Sequence, residues 1–100
     1  MNTILKEENS KLVMYFEGRL DTPAAAQTEK DVQPLYNSEG KDIILDCTKL
    51  EYISSSGLRI FLAILKSAKS KGNQVFIRGI NEDLRNVFAI TGFTNLFQFI

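Results

Sequence analysis

The chain has 100 residues, 44% of them hydrophobic, which is enough for one domain with a single core and too few for two. Twelve Lys and Arg balance twelve Asp and Glu, so no global field would gather nucleic acid or anionic lipid, and any partner is chosen locally. There is no histidine and only one cysteine, Cys47, which excludes Ser-His catalysis, a structural zinc site and an internal disulfide.

In chain order, Thr3 to Glu8 and Lys11 to Gly18 read as two strands joined by a tight turn at Asn9-Ser10. Val13 and Tyr15 fall on one face of the second strand, and Leu12, Met14 and Phe16 on the other. Asp21-Thr22-Pro23 offers an N-cap candidate followed by proline at the first helical position, Ala24, Ala25 and Ala26 favour helix after it, and Pro34 should end or kink that helix before Tyr36. Asp42-Ile43-Ile44-Leu45-Asp46-Cys47 is a continuous apolar run flanked by charge, the pattern of a buried parallel strand, and a loop should follow it. A second helix is expected from about Ser55 to Lys71, with Gly72 as its left-handed cap. Gln74 to Arg78 is the next strand, Asn81 caps a third helix over Glu82 to Thr91, with Gly92 beyond its end, and Leu96 to Ile100 forms a last short strand. A hairpin followed by helix, strand, helix, strand, helix and strand requires an α/β domain over residues 1–100, with a mixed, mostly parallel sheet packed by about three helices.

Other signals narrow the chemistry. No apolar stretch approaches the roughly 20 residues that cross a bilayer, and Met1 to Glu8 lacks the regions of a signal peptide. With a single thiol, which fits a reducing compartment, the expectation is a cytoplasmic chain with no membrane partner. Ser55 has Gly57 two residues later but Ile53 two residues earlier, so the nucleophile-elbow pattern fails, and no glycine-rich phosphate loop is present. Lys66, Lys69 and Lys71 complement the negative end of the second helix and do not form a nucleic-acid patch. Phe93, Phe97 and Phe99 read as core.

The most informative run is Tyr52-Ile53-Ser54-Ser55-Ser56-Gly57-Leu58, three hydroxyls and a glycine at the mouth of an apolar helix. Projected at about 100° per residue, Leu58, Phe61, Leu62, Leu65 and Ala68 make the core stripe of that helix, and Ile60 and Ile64 widen the apolar arc to roughly 200°. Either a neighbouring element covers the two isoleucines or they rim a protein-binding surface. The same projection aligns Ser56 with Ile60, Ala63 and Ser67, near Arg59 and away from the core stripe, and turns Ser54 toward the core as a cap. Three serines before a helix serve as caps and turn formers in the simplest reading. In the sharper one Ser56 is modified: a phosphate there would gain about 0.3 to 1 kcal/mol from the helix dipole, so the fold would survive. Gly57 is expected to serve close backbone packing at the helix start, and a partner approaching there would profit from the same lack of side chain.

The run Asp46-Cys47-Thr48-Lys49-Leu50-Glu51-Tyr52-Ile53-Ser54-Ser55-Ser56-Gly57-Leu58 resembles the signature of STAS domains, in particular bacterial anti-sigma factor antagonists. Gly18-Arg19-Leu20-Asp21 resembles the family's early glycine-x-leucine-aspartate segment, and Asn81 to Phe97 its closing helix, turn and strand. The resemblance implies a non-enzymatic regulator without a cofactor. Ser56, immediately before the glycine, would be phosphorylated by an anti-sigma factor that is itself a serine kinase, with Ser55 the alternative. A PP2C-type phosphatase would restore the binding form, which releases a sigma factor. It also implies that Asp21 lies near this loop, although Asp21 equally suits the cap of the first helix. The implied partner surface is Asp21, Ser54, Ser55, Ser56, Gly57, Arg59, Ile60, Ala63, Ile64 and Ser67. Ser54 departs from the aspartate that many members carry two positions before the phosphorylated serine. The competing expectations are an unphosphorylated STAS scaffold subunit in a signalling or transport complex, and a small serine hydrolase, which the absence of histidine opposes.

Overall fold

Asn9 and Ser10 both adopt left-handed backbone, with φ of 50° and 65°, the geometry that lets a two-residue turn follow the twist of the strands it joins. In the computed structural model, which describes residues 1–100, this turn closes a hairpin between β1 (Asn2–Glu8) and β2 (Lys11–Leu20). Next come α1 (Thr22–Asp31), a 3-10 turn over Gln33–Asn37, β3 (Ile43–Ile53), α2 (Ser55–Ser70), β4 (Val75–Arg78), α3 (Glu82–Ile90) and β5 (Gln98–Phe99). The sheet order is β1-β2-β3-β4-β5, antiparallel at β1/β2 and parallel elsewhere. This is the mixed, mostly parallel sheet expected from the element order.

Three successive parallel strands are each reached through a helix in the same direction across the sheet, so right-handed crossovers place α1, α2 and α3 on one face. That face carries Met14, Phe16, Ile43, Leu45, Cys47, Val75 and Ile77, which join Phe61, Ile64 and Phe88 in one core. Phe16 and Phe61 stand 5.0 Å apart between ring centroids, and Phe88 extends the aromatic chain to Phe97 at 5.9 Å and Phe99 at 5.8 Å. Phe97 is thus core, as the sequence implied, and Phe93 and Phe99 pack against it.

Each helix begins and ends where its sequence provides a partner for the unpaired backbone. Asp21 Oδ1 accepts from Ala24 N at 3.0 Å, Ser54 Oγ from Gly57 N at 3.2 Å, and Asn81 Oδ1 from Leu84 N at 2.8 Å. α2 stops in a Schellman arrangement: Gly72 N donates to Lys69 O and Asn73 N to Ala68 O, with Gly72 at φ +77°. α1 ends before Pro34, which sits in the first turn of the 3-10 segment where no amide donor is needed.

The strand boundaries differ from expectation at one place that matters. The segment after Cys47, expected as a loop, is strand: β3 runs unbroken to Ile53, and β2 extends alongside it to Leu20. Between Tyr15 and Glu17 the register advances two residues on β2 against three on β3, and between Gly18 and Arg19 one against two. These two bulges give β3 an extra residue each, so its buried positions Cys47, Leu50 and Ile53 recur every third residue. A period of two is lost, and with it the local sign of a strand. The last strand is shorter than expected, only Gln98–Phe99.

Candidate functional site

The paired ends of β2 and β3 define the site. Leu20 and Ile53 are partners in register, and Ser54 N donates to Leu20 O at 2.8 Å, so the N-caps Asp21 and Ser54 sit side by side where the two strands leave the sheet. α1 and α2 therefore start next to one another, the first capped by a carboxylate and the second by a neutral hydroxyl. Asp21 caps α1 and also adjoins the serine cluster, so the two roles weighed for it are compatible.

The three serines have three environments. Ser54 is buried and occupied by its capping bond to Gly57 N. Ser55 is exposed at the first position of the helix, and Ser56 is half-buried at the second. The amides of Ser55 and Ser56 have no intrahelical acceptor, so a negative group placed there would meet open donors as well as the helix dipole. Gly57 is buried against the sheet: a Cβ on it would lie 2.7 Å from Leu20 Cγ and 2.8 Å from Ile53 Cγ1. That contact is what seats the helix mouth on the ends of β2 and β3, and it bears out the packing reading of Gly57.

Beyond the serines, a groove of about 310 Å³ runs between α1 and α2. Ser56, Arg59, Ile60 and Ala63 line it from α2, and Ala25, Ala26 and Glu29 from α1. Arg59 and Ala63 are exposed, Ser67 is half-buried, and Ile60 retains 5% of its surface. Ile64 does not reach the surface at all, being 0% exposed. Its place among the partner-facing residues is corrected: Ile64 belongs to the core cluster, on a helix that contacts α1 and the 3-10 turn as well as the sheet. α2 is apolar over a wide arc because it packs against the sheet on one side and α1 on the other, while Leu62, assigned to the core stripe, is only half-buried. The α1 side of the groove was missed by the sequence reading, since three consecutive alanines signal helix propensity and carry no hint of their neighbour.

On the opposite face of the sheet a polar row crosses four strands. Arg78 Nε donates to Asp46 Oδ2 at 2.7 Å, Arg78 Nη2 to Tyr15 Oη at 3.3 Å, and the Tyr15 hydroxyl to Glu8. Burial pushes the Asp46 carboxyl up, but the bond from Thr48 N and the Arg78 guanidinium outweigh it and hold the group below the ordinary carboxylate value. Cys47, beside it in sequence but facing the core, is buried and its thiol is pushed far up by desolvation. That makes it an apolar filler and not a nucleophile. No helix is long and apolar enough to cross a membrane.

Comparison with known proteins agrees with this architecture. The family model for the STAS domain matches residues 2–100. The anti-sigma-B factor antagonist of Listeria monocytogenes is 22% identical over 95 residues, covering 95% of this chain and 83% of that protein. Among solved structures, a Thermotoga maritima protein superposes with a TM-score of 0.87 at 23% identity, covering 97% of this chain and 84% of its own. The Bacillus cell-fate determinant SpoIIAA, solved in its phosphorylated form, gives 0.74 at 18% identity over 99% of this chain and 91% of its own. The signature at the β3–α2 junction, the fold and the family match over nearly the whole length lead to one conclusion: the chain belongs to the STAS domain family.

Proposed function

We propose that this chain is an anti-sigma factor antagonist: in its unmodified form it binds an anti-sigma factor and so frees a sigma factor in the cytoplasm. The anti-sigma factor is a serine kinase that phosphorylates Ser56 and ends the interaction, and a PP2C-type phosphatase restores it. The observation that carries the reading is the division of labour among the serines. Ser54 is consumed by the cap, whereas Ser56 opens both to the helix mouth and to the α1–α2 groove. Relatives named as anti-sigma-B factor antagonists, and a structural neighbour solved in a phosphorylated form, support it.

The electrostatics explain how one group can switch binding without unfolding the domain. A phosphate of charge about −1.5 to −2 on Ser56 would sit in the first turn of α2, whose positive end stabilises it locally, while the neighbouring Asp21 carboxylate offsets part of that gain. A partner seated over α2 would have to desolvate the same charge, and each 1.4 kcal/mol of that cost is tenfold in affinity. Incubation with ATP and the purified anti-sigma factor of the same organism, followed by peptide mapping, tests the assignment. One phosphate on Ser56, retained in Ser55→Ala and absent in Ser56→Ala, is expected. Phosphate on Ser55, or none on the wild type, would contradict it.

A further inference from the structure

Arg59 stands apart from the other arginines of the chain. Arg78 is held by Asp46 and Tyr15, Arg19 lies over the Tyr52 ring at 4.4 Å, and Arg85 lies over the Phe99 ring at 4.9 Å. Arg59 is exposed and enters no ion pair, side-chain hydrogen bond or aromatic contact. It is also the only charged residue of α2 between Ser55 and Leu65. It follows Ser56 by three residues, so the two side chains share one face of the helix with Cβ atoms about 5 to 6 Å apart. Long helical side chains lean toward the N-terminus, which carries the guanidinium back over the turn that holds Ser56. Both residues line the groove of about 310 Å³ between α1 and α2. An enclosed cavity of about 150 Å³ holds a benzene ring, so this space takes a phosphoryl group without displacing a helix.

We infer that Arg59 is the in-chain receptor of the phosphate on Ser56: its guanidinium closes on the phosphate oxygens, so modification withdraws a cation from the surface as well as adding an anion. The inference rests on the assignment of Ser56 above and deepens it by naming what the modified side chain does next. A planar guanidinium meets phosphate oxygens in pairs, and an anion one turn N-terminal to a cation is the favourable order along a helix. Two carboxylates oppose the phosphate: Glu29, which lines the groove from α1, and Asp21, which caps α1 beside the serines. Glu29 does not hold Arg59 in the unmodified chain, and Asp21 is occupied by Ala24 N. A phosphate of charge about −1.5 to −2 on the helix that bears Arg59 outcompetes a single carboxylate across the groove. The Ser55–Leu65 stretch of α2 then changes from one positive charge to a net negative one.

Phosphoserine installed at position 56 during translation yields the modified chain without a kinase. Its second phosphate ionisation, near pH 6 for an unperturbed group, would be followed by 31P NMR in wild type, Arg59→Gln, Arg59→Lys and, as a control two turns further along α2, Lys66→Gln. Arg59→Gln is expected to raise the midpoint by at least about half a pH unit, since it removes the neighbouring cation. Arg59→Lys should raise it less, because the charge stays while the paired donors are lost, and Lys66→Gln should leave it in place. The Arg59 Nε–H resonance should also shift and exchange more slowly with water once the phosphate is present. Equal midpoints in wild type and Arg59→Gln would overturn the inference and leave the assignment of Ser56 standing, because no kinase enters the measurement. Failure of the anti-sigma factor to modify Ser56 would overturn that assignment, while the pairing is still read from the installed phosphate.

Discussion

Replacing Gly57 by alanine tests how the helix mouth is seated. In an open helix the change would be favourable by up to about 1 kcal/mol, because alanine has the higher propensity. Here the new Cβ would lie 2.7 and 2.9 Å from Leu20 Cγ and Cδ2 and 2.8 Å from Ile53 Cγ1, all closer than carbon atoms approach without displacement. Leu20 is 0% exposed and Ile53 4%, so neither side chain can swing into solvent. Inserting a methyl into such packing typically costs about 1 to 3 kcal/mol, which exceeds the propensity gain, particularly in the first turn where fewer helical bonds depend on the residue. A net loss of about 1 to 2 kcal/mol follows, and for a domain of this size each kcal/mol lowers Tm by about 4 to 8 °C. Thermal unfolding monitored by circular dichroism would show the drop. A Gly57→Ala variant as stable as wild type would refute the claim that close approach requires this glycine.

Other perturbations follow from the same contacts. Ser54→Ala removes the cap of α2 and should lower the unfolding free energy by about 1 kcal/mol in urea titration, whereas Ser55→Ala, at an exposed position without a capping bond, should change it little. Thr28 is 0% exposed and its hydroxyl has no hydrogen-bond partner, so the nearly isosteric Thr28→Val should raise stability by about 1 kcal/mol in the same assay. The folded Asp46 carboxyl titrates below its ordinary, unfolded value, so its contribution is fully present above that value and is lost as pH falls through the lower folded one. The acid limb of a stability-versus-pH curve should therefore flatten in Asp46→Asn. Cys47 should resist a thiol reagent in the native protein and react at once on unfolding, since burial both shields the thiol and raises its pKa.

The features legible in the sequence were those set by near neighbours. The Asn9-Ser10 turn, the three side-chain caps and the glycine stop of α2 each depend on a few consecutive residues, and each stands where its residues predict. What escaped depends on distant partners. β3 continues to Ile53 only because β2 runs beside it through two bulges that erase the alternation at Thr48 to Tyr52. The row Glu8–Tyr15–Asp46–Arg78 joins residues of four strands and has no local signature. The site divides in the same way. Helical projection placed Ser56, Ile60 and Ala63 along one line, and all three border the groove, but it could not show that α1 would bury Ile64 and contribute Ala25, Ala26 and Glu29.

The central claim, that charge on Ser56 ends a binding interaction without disturbing the fold, is tested most directly by titrating the purified anti-sigma factor with this chain unmodified and with phosphoserine installed at position 56. The account predicts at least about a 100-fold loss of affinity, equivalent to about 2.8 kcal/mol, with the thermal midpoint of the phosphorylated chain at or slightly above that of the unmodified one. Equal affinity of the two forms, or loss of binding accompanied by unfolding, would contradict it.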